Sequence, residues 1–160
     1  MSHSNLQKIA FIGSYLPRKC GIATFTHDLR NAVAQATDAE CMVVAIDDIA
    51  NKYDYGSEVH FQIGEQELED YRAAADYLNL SNVDVVSLQH EFGIFGGPCG
   101  SHILALLNDV RVPIVTTLHS VLTEPSQAQR AVMSHLIRYS ARLVVMTERS
   151  RQTLMRIYAV

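Results

Sequence analysis

Three clusters in this chain combine residue types that do chemistry. The first is Arg18, Lys19, Cys20 and Gly21. It closes a loop and opens a stretch in which Phe25, Leu29, Ala32, Val33 and Ala36 recur on one helix face. A helix start leaves backbone N–H groups without intrahelical partners, and the helix dipole adds partial positive charge there. Such a start suits a phosphate or another anion. Gly21 also reads as room for close helix–strand packing. Arg18 and Lys19 read either as added cationic contacts or as side chains in water. The second cluster is His90 and Glu91, followed by Gly93, Gly96, Gly97 and Gly100. Adjacent glycines before a helix can form a nest of N–H groups for an anion. His90 and Glu91 are candidates for acid–base work, or for hydrogen bonds that hold neighbouring loops in shape. The third is His119 with Ser120. A neutral imidazole can exchange a hydrogen bond with a hydroxyl. Ser120, His119 and Glu91 would also make a hydrolase set, but no GxSxG elbow is present. The first loop has neither GxGxxG nor GK[ST], which argues against nicotinamide dehydrogenases and P-loop NTPases.

These clusters need elements to hold them. Strand-like apolar runs are expected at 8–14, 41–46, 59–63, 83–88, 113–118 and 143–146, and helical patterns at 22–36, 65–80, 101–110, 126–139 and 148–158. Most of the strands are apolar on both faces, as parallel strands covered on two sides are. Alternating strands and helices predict an α/β fold: a doubly wound, mainly parallel, Rossmann-like sheet of about six strands with helices on both faces. Ligands in such sheets sit outside the carboxyl ends of the strands, and all three clusters fall just after a strand. The expectation is one crevice shared by Gly21, His90, Gly97 and His119. Asn51–Gly56 reads as a flexible loop and Met1–Asn5 as a frayed prefix.

Composition narrows the classes. With 160 residues, 48% hydrophobic and 19% charged, the chain reads as one ordinary globular domain. A net charge of −4 argues against nucleic acid as a partner. Six of thirteen basic residues (Arg130, Arg138, Arg142, Arg149, Arg151 and Arg156) lie at or beyond residue 130. They read as solvated helix faces, or as a basic rim for anionic lipid or a phosphorylated ligand. Cys20, Cys41 and Cys99 form neither a disulfide framework nor a zinc site by spacing, and no metal is expected. A reducing cytoplasm is the expected location, with peripheral membrane contact as a variant. Residues 1–8 are polar and no apolar run reaches the length of a membrane span, so neither a signal peptide nor a transmembrane helix is expected.

The strings YLPRKCGIATFTHDL, LQHEFGIFGGPCG, TTLHSVL and LVVMTERSRQTLMRIYAV together resemble the N-terminal domain of glycosyltransferase family 4 enzymes, across essentially residues 8–160. That resemblance implies half of a two-domain GT-B fold and a retaining sugar transfer from a nucleotide-diphosphate sugar, with no cofactor besides the donor. It implies His119 as the catalytic histidine near the transferred sugar. It implies Gly21, with Cys20 and Lys19, at the donor diphosphate. His90, Glu91, Gly93, Gly96, Gly97 and Ser120 match the acceptor or sugar side. Many relatives have two consecutive glycines in the first loop; Cys20 takes the first of those places. The implied partners are a carbohydrate or lipid-linked acceptor and a C-terminal nucleotide-sugar-binding domain. That second domain and its paired glutamates are absent from this sequence. The chain is therefore read as residues 1–160 of a longer protein or a truncated frame, inactive alone, whose open face meets the missing domain or a second copy. A non-catalytic α/β module that binds a nucleotide, another anion or a protein partner is the alternative.

Overall fold

The computed structural model describes residues 6–49 and 53–160. The prefix Met1–Asn5, and Asn51 and Lys52 of the expected loop, lie outside them. Among the described residues six strands form one sheet in the order β3-β2-β1-β4-β5-β6. They are β1 (Lys8–Gly13), β2 (Glu40–Asp47), β3 (Val59–Gly64), β4 (Val85–His90), β5 (Ile114–Leu118) and β6 (Arg142–Val145). Every neighbouring pair is parallel. The chain leaves β1 in one direction and returns to its other side at β4. The loops after these two strands therefore diverge, and in sheets of this kind ligands sit at that switch point.

The helices are α1 (Gly21–Ala36), α2 (Leu68–Leu80), α3 (Ile103–Asp109), α4 (Gln127–Tyr139) and α5 (Glu148–Tyr158). Leu29 and Val33 of α1 pack on Phe11, Val43 and Ala45. On the opposite face Leu78 of α2, Leu106 of α3, Leu136 of α4 and Leu154 of α5 share a larger core with Ile12, Val44 and Leu88. Both faces of the sheet are thus helix-covered, as the two-sided apolar strands require. No helix among the described residues is long and apolar enough to cross a membrane.

Helix starts follow local chemistry. Ser126 and Gln129 close a reciprocal capping box at α4, and the Thr147 hydroxyl accepts from Ser150 N–H at α5. Cys20 caps α1 with its sulfur, 3.3 Å from the Ala23 nitrogen. Several expected boundaries move, and the helix expected from 65 starts at Leu68. The strand expected at 83–88 starts at Val85, because the Asp84 carboxylate instead accepts from the N–H groups of Gln7 and Lys8. It continues to His90, because Gln89 and His90 pair with Thr117 and Leu118. The helix expected from 101 starts at Ile103, after two single 3₁₀ turns at Phe92–Ile94 and Pro98–Gly100.

Candidate functional site

The α1 start lies at the carboxyl edge of the sheet, beside that switch point. Gly21 is exposed, and a Cβ built on it would meet nothing within 4 Å. Internal packing therefore does not require glycine here, which removes the packing reading of Gly21. What its missing side chain opens is the outer side, where a ligand backbone or phosphate can come close. Lys19 is exposed beside it. Arg18 is different: it is buried, 3.2 Å from the Ile46 carbonyl, 3.3 Å from Glu65 and 3.4 Å from Asp48. Its charge is spent inside the protein, so the reading of Arg18 as a ligand contact is corrected.

Gly21 and His119 are linked by one side chain. Phe25, one turn beyond Gly21, meets the His119 ring edge-on, with centroids 4.7 Å apart. The His119 N–H donates to the His90 carbonyl at 3.0 Å, continuing the ladder one residue past β5. Its Nε2 lies 3.1 Å from Gln89 Oε1, while the Gln89 amide nitrogen donates to Ser87. Gln89 therefore presents an acceptor, and His119 Nε2 must carry the proton. Nδ1 is then left as a lone-pair acceptor. Burial lowers the His119 pKa and Glu91 opposes this, so the ring is neutral near pH 7. A neutral imidazole with a free Nδ1 can accept a hydrogen bond from a hydroxyl.

Glu91 holds the loops together. One oxygen accepts from Phe92 N–H at 2.9 Å and the other from the Ser120 hydroxyl. With one hydrogen bond on each oxygen, Glu91 ties the loops after β4 and β5 together, as its loop-holding reading expects. Ser120 donates to Glu91 and His119 bonds Gln89, so no Ser–His–acid relay exists and the hydrolase reading falls. Gly93 stays exposed, with open space at its Cβ position.

His90 leaves this edge. As the last residue of β4 it follows the parity of Val86 and Leu88 into the larger core. It is 0% exposed, edge-on to Phe92 at 5.0 Å and stacked on Phe95 at 5.7 Å. Neither ring nitrogen has a hydrogen-bond partner. The acceptor-side reading of His90 is therefore corrected. Burial, reinforced by His119, pushes its pKa down to about 3. In the unfolded chain the ring takes up a proton near its ordinary value of about 6.5. Below that pH the unfolded state binds more protons, so stability falls as pH drops, by up to about 1.4 kcal/mol per unit until the folded value is reached. His119 adds a slope of the same sign. We expect urea unfolding between about pH 7 and pH 5 to show this loss, and His90→Phe to flatten it. Equal slopes in both proteins would refute the buried neutral imidazole.

The anion-nest reading of Gly96 and Gly97 is also corrected. Gly96 N–H donates to the Tyr71 hydroxyl at 3.1 Å and Gly97 N–H to Gln66 Oε1 at 3.4 Å. Both donors are used internally, so they form no anion nest. The four residues expected to share one hollow therefore separate. Gly21 and His119 share the edge, His90 is sealed in the core, and Gly97 is held against the β3–α2 turn.

Sequence reasoning missed Gln89, Phe25 and Asp47. Gln89 orients His119, and its polar type at a strand tip was a usable signal. Phe25 was read as a core residue of α1. Asp47 is buried and accepts from the Tyr55 hydroxyl at 2.6 Å. It lines a cavity of about 500 Å³ with Asp48, Glu65, Glu67 and Asp70 at the ends of β2 and β3. Among the described residues no three metal-binding side chains are placed to share an ion.

Comparison with known proteins supports the fold. No protein-family model matches the sequence, and no curated protein matches it. Among solved structures, an alpha-glucosyltransferase in complex with UDP and a 13-mer DNA containing a HMU base superposes with a TM-score of 0.64 at 12% identity, over 97% of this chain and 40% of that one. An alpha-glucosyltransferase complex with UDP and DNA containing a central A:G mismatch gives 0.63 at 14% identity, over 88% and 37%. An alpha-glucosyltransferase in complex with UDP gives 0.62 at 13% identity, over 94% and 38%. The chain thus spans about two fifths of the length of these structures, and it shares their α/β, Rossmann-like fold over that part.

Proposed function

We propose that this chain is the acceptor-side half of a retaining glycosyltransferase that uses a nucleotide-diphosphate sugar. The observation that carries the reading is the pairing of an anion-ready helix start, open at Gly21, with a neutral His119 whose Nδ1 is free, at the switch point of a parallel sheet. The fold neighbours bind UDP, and a nucleoside diphosphate is the ligand that such an edge suits. In the whole enzyme the N–H groups at Gly21 would meet the donor diphosphate. Negative charge grows on that group as the glycosidic bond breaks, so fixed donors there act most strongly in the transition state. His119 would accept a hydrogen bond from a hydroxyl of the transferred sugar and hold it in place. Glu91 and Ser120 would keep the acceptor side in shape. Two of the neighbours also carry DNA. A net charge of −4 leads us to propose a non-nucleic-acid acceptor here, a carbohydrate or lipid-linked one.

Half of the contacts to a bound donor would come from a second domain, so the 160-residue chain should bind UDP weakly and transfer no sugar. The deciding test is an amide-resolved titration of the isotope-labelled chain with UDP. The expected result is saturable shifts at Gly21 and Ile22 and at the His119 ring, lost in Gly21→Val. Shifts confined to other parts of the chain, or no shifts, would overturn the assignment and leave a non-catalytic module.

A further inference from the structure

A hollow at the end of β5 has neither Gly21 nor His119 in its lining. It measures about 670 Å³ and sits between the loop joining β5 to α4 and the flank of α5. That is within the size range of small-molecule sites. Arg149, Gln152 and Arg156 line it from one stripe of α5, three and four residues apart, so their side chains point the same way. Thr123 and Glu124 line it from the loop.

The two arginines differ from Arg151, Arg130 and Arg142, and from Arg138, which also has no side-chain partner among the described residues but does not line the hollow. Arg151 is tied to Glu148, Arg130 to the Ile157 carbonyl and the Tyr158 ring, and Arg142 to the Ala141 carbonyl. Arg149 and Arg156 have no hydrogen-bond or ion-pair partner among the described residues. Arg149 also stands in the first turn of α5, where the positive end of the helix dipole disfavours a cation. Helix stability does not explain it. Arg156, in the last turn, is favourable to the dipole, yet it lines the same hollow. Guanidinium groups match phosphate and carboxylate oxygens through paired N–H donors. Glu124, the carboxylate among the lining residues, would repel a bare anion but accepts hydrogen bonds from hydroxyls. The Gln152 amide nitrogen already donates to Glu148 at 3.1 Å, so its carbonyl oxygen and the Thr123 hydroxyl offer the further polar contacts to hydroxyls.

We propose that this hollow binds an anionic carbohydrate, a sugar bearing a phosphate or carboxylate, with Arg149 and Arg156 on the charged group and Glu124 and Gln152 on the hydroxyls. The site stands on its own geometry and needs no sugar transfer to be tested. If the glycosyltransferase reading holds, it is where an anionic acceptor would be held.

The test titrates the chain with glucose 6-phosphate, inorganic phosphate and glucose at fixed ionic strength, following the Arg149 and Arg156 side-chain N–H signals. Glucose 6-phosphate is expected to bind more tightly than phosphate, and glucose not at all. Arg149→Gln and Arg156→Gln should each weaken glucose 6-phosphate binding about tenfold, while Arg151→Gln leaves it unchanged. Glu124→Gln should shrink the preference for glucose 6-phosphate over phosphate. Equal loss in Arg151→Gln would mean diffuse attraction and would overturn the site. Phosphate binding as tightly as the sugar phosphate would overturn its carbohydrate character. Binding to vesicles of anionic phosphatidylglycerol without any response to glucose 6-phosphate would assign the arginines to a membrane surface instead. All these side chains are exposed, so circular dichroism should show each variant folded, and Gly21→Val, which removes UDP binding, should leave this site intact.

Discussion

Gly96→Ala is expected to cost the chain about 4 kcal/mol of stability, a large share of the total for a domain of this size. A Cβ at this position would stand 2.0 Å from the Glu65 carbonyl oxygen and 2.7 Å from His102 Nδ1. The first of these is backbone and cannot swing aside. Relief would require moving the turn between β3 and α2, which is pinned from below. The buried Tyr71 hydroxyl donates to the same Glu65 carbonyl at 2.8 Å and accepts from Gly96 N–H at 3.1 Å. Separating Gly96 from Glu65 therefore breaks the hydrogen bond at Tyr71 as well. Overpacking of this kind costs about 1–3 kcal/mol, and an orphaned buried polar group adds about 1–3 kcal/mol. Gly21→Ala is the contrasting control: its Cβ meets open space, and alanine at a helix start should change stability by less than about 1 kcal/mol. Urea unfolding of the two variants beside the parent measures both. A Gly96→Ala midpoint equal to that of Gly21→Ala would show that the turn yields and that the packing argument is wrong.

On the proposed function, His119→Ala in a form active in sugar transfer should lower kcat about a hundredfold or more, the scale seen when one preorganised transition-state hydrogen-bond partner is removed. The fold should survive. The ring loses an edge-on contact with Phe25 and a bond to Gln89, worth about 1–2 kcal/mol together. The effect on KM should be smaller than on kcat if His119 acts mainly on the reacting sugar. Gln89→Leu offers an independent check. It leaves the imidazole in place but removes the acceptor that fixes its tautomer, so it should reduce kcat and shift the pH dependence of the reaction. Unchanged kcat in His119→Ala would take this residue out of the chemistry.

The arrangement of elements was legible because its causes are local. Runs such as Cys41–Ile46 are apolar on both faces, and the stretch from Gly21 to Ala36 repeats with a helical period. The edge bearing the polar tips was legible too, since parallel strands send every tip to the same side. The roles of those tips were less legible. Gln89 and His90 are neighbours, and in a strand neighbours face opposite ways. Which of them meets His119 depends on β4 extending to pair with Thr117 and Leu118, residues far away in the chain. The glycines were similarly ambiguous. Gly21 and Gly96 are the same residue type in comparable loops, yet one faces open space and the other a carbonyl of the β3–α2 turn. Arg18 looked available until Asp48 and Glu65 were brought around it.

Hydropathy period and helix-start chemistry are properties of adjacent residues, so the order of strands and helices and the polar edge could be read from one dimension. Facing direction, crowding and charge neutralisation are set by contacts between distant segments. Folding was needed to turn His90 inward, leave His119 at the edge, engage Arg18 and leave Arg149 and Arg156 unpaired.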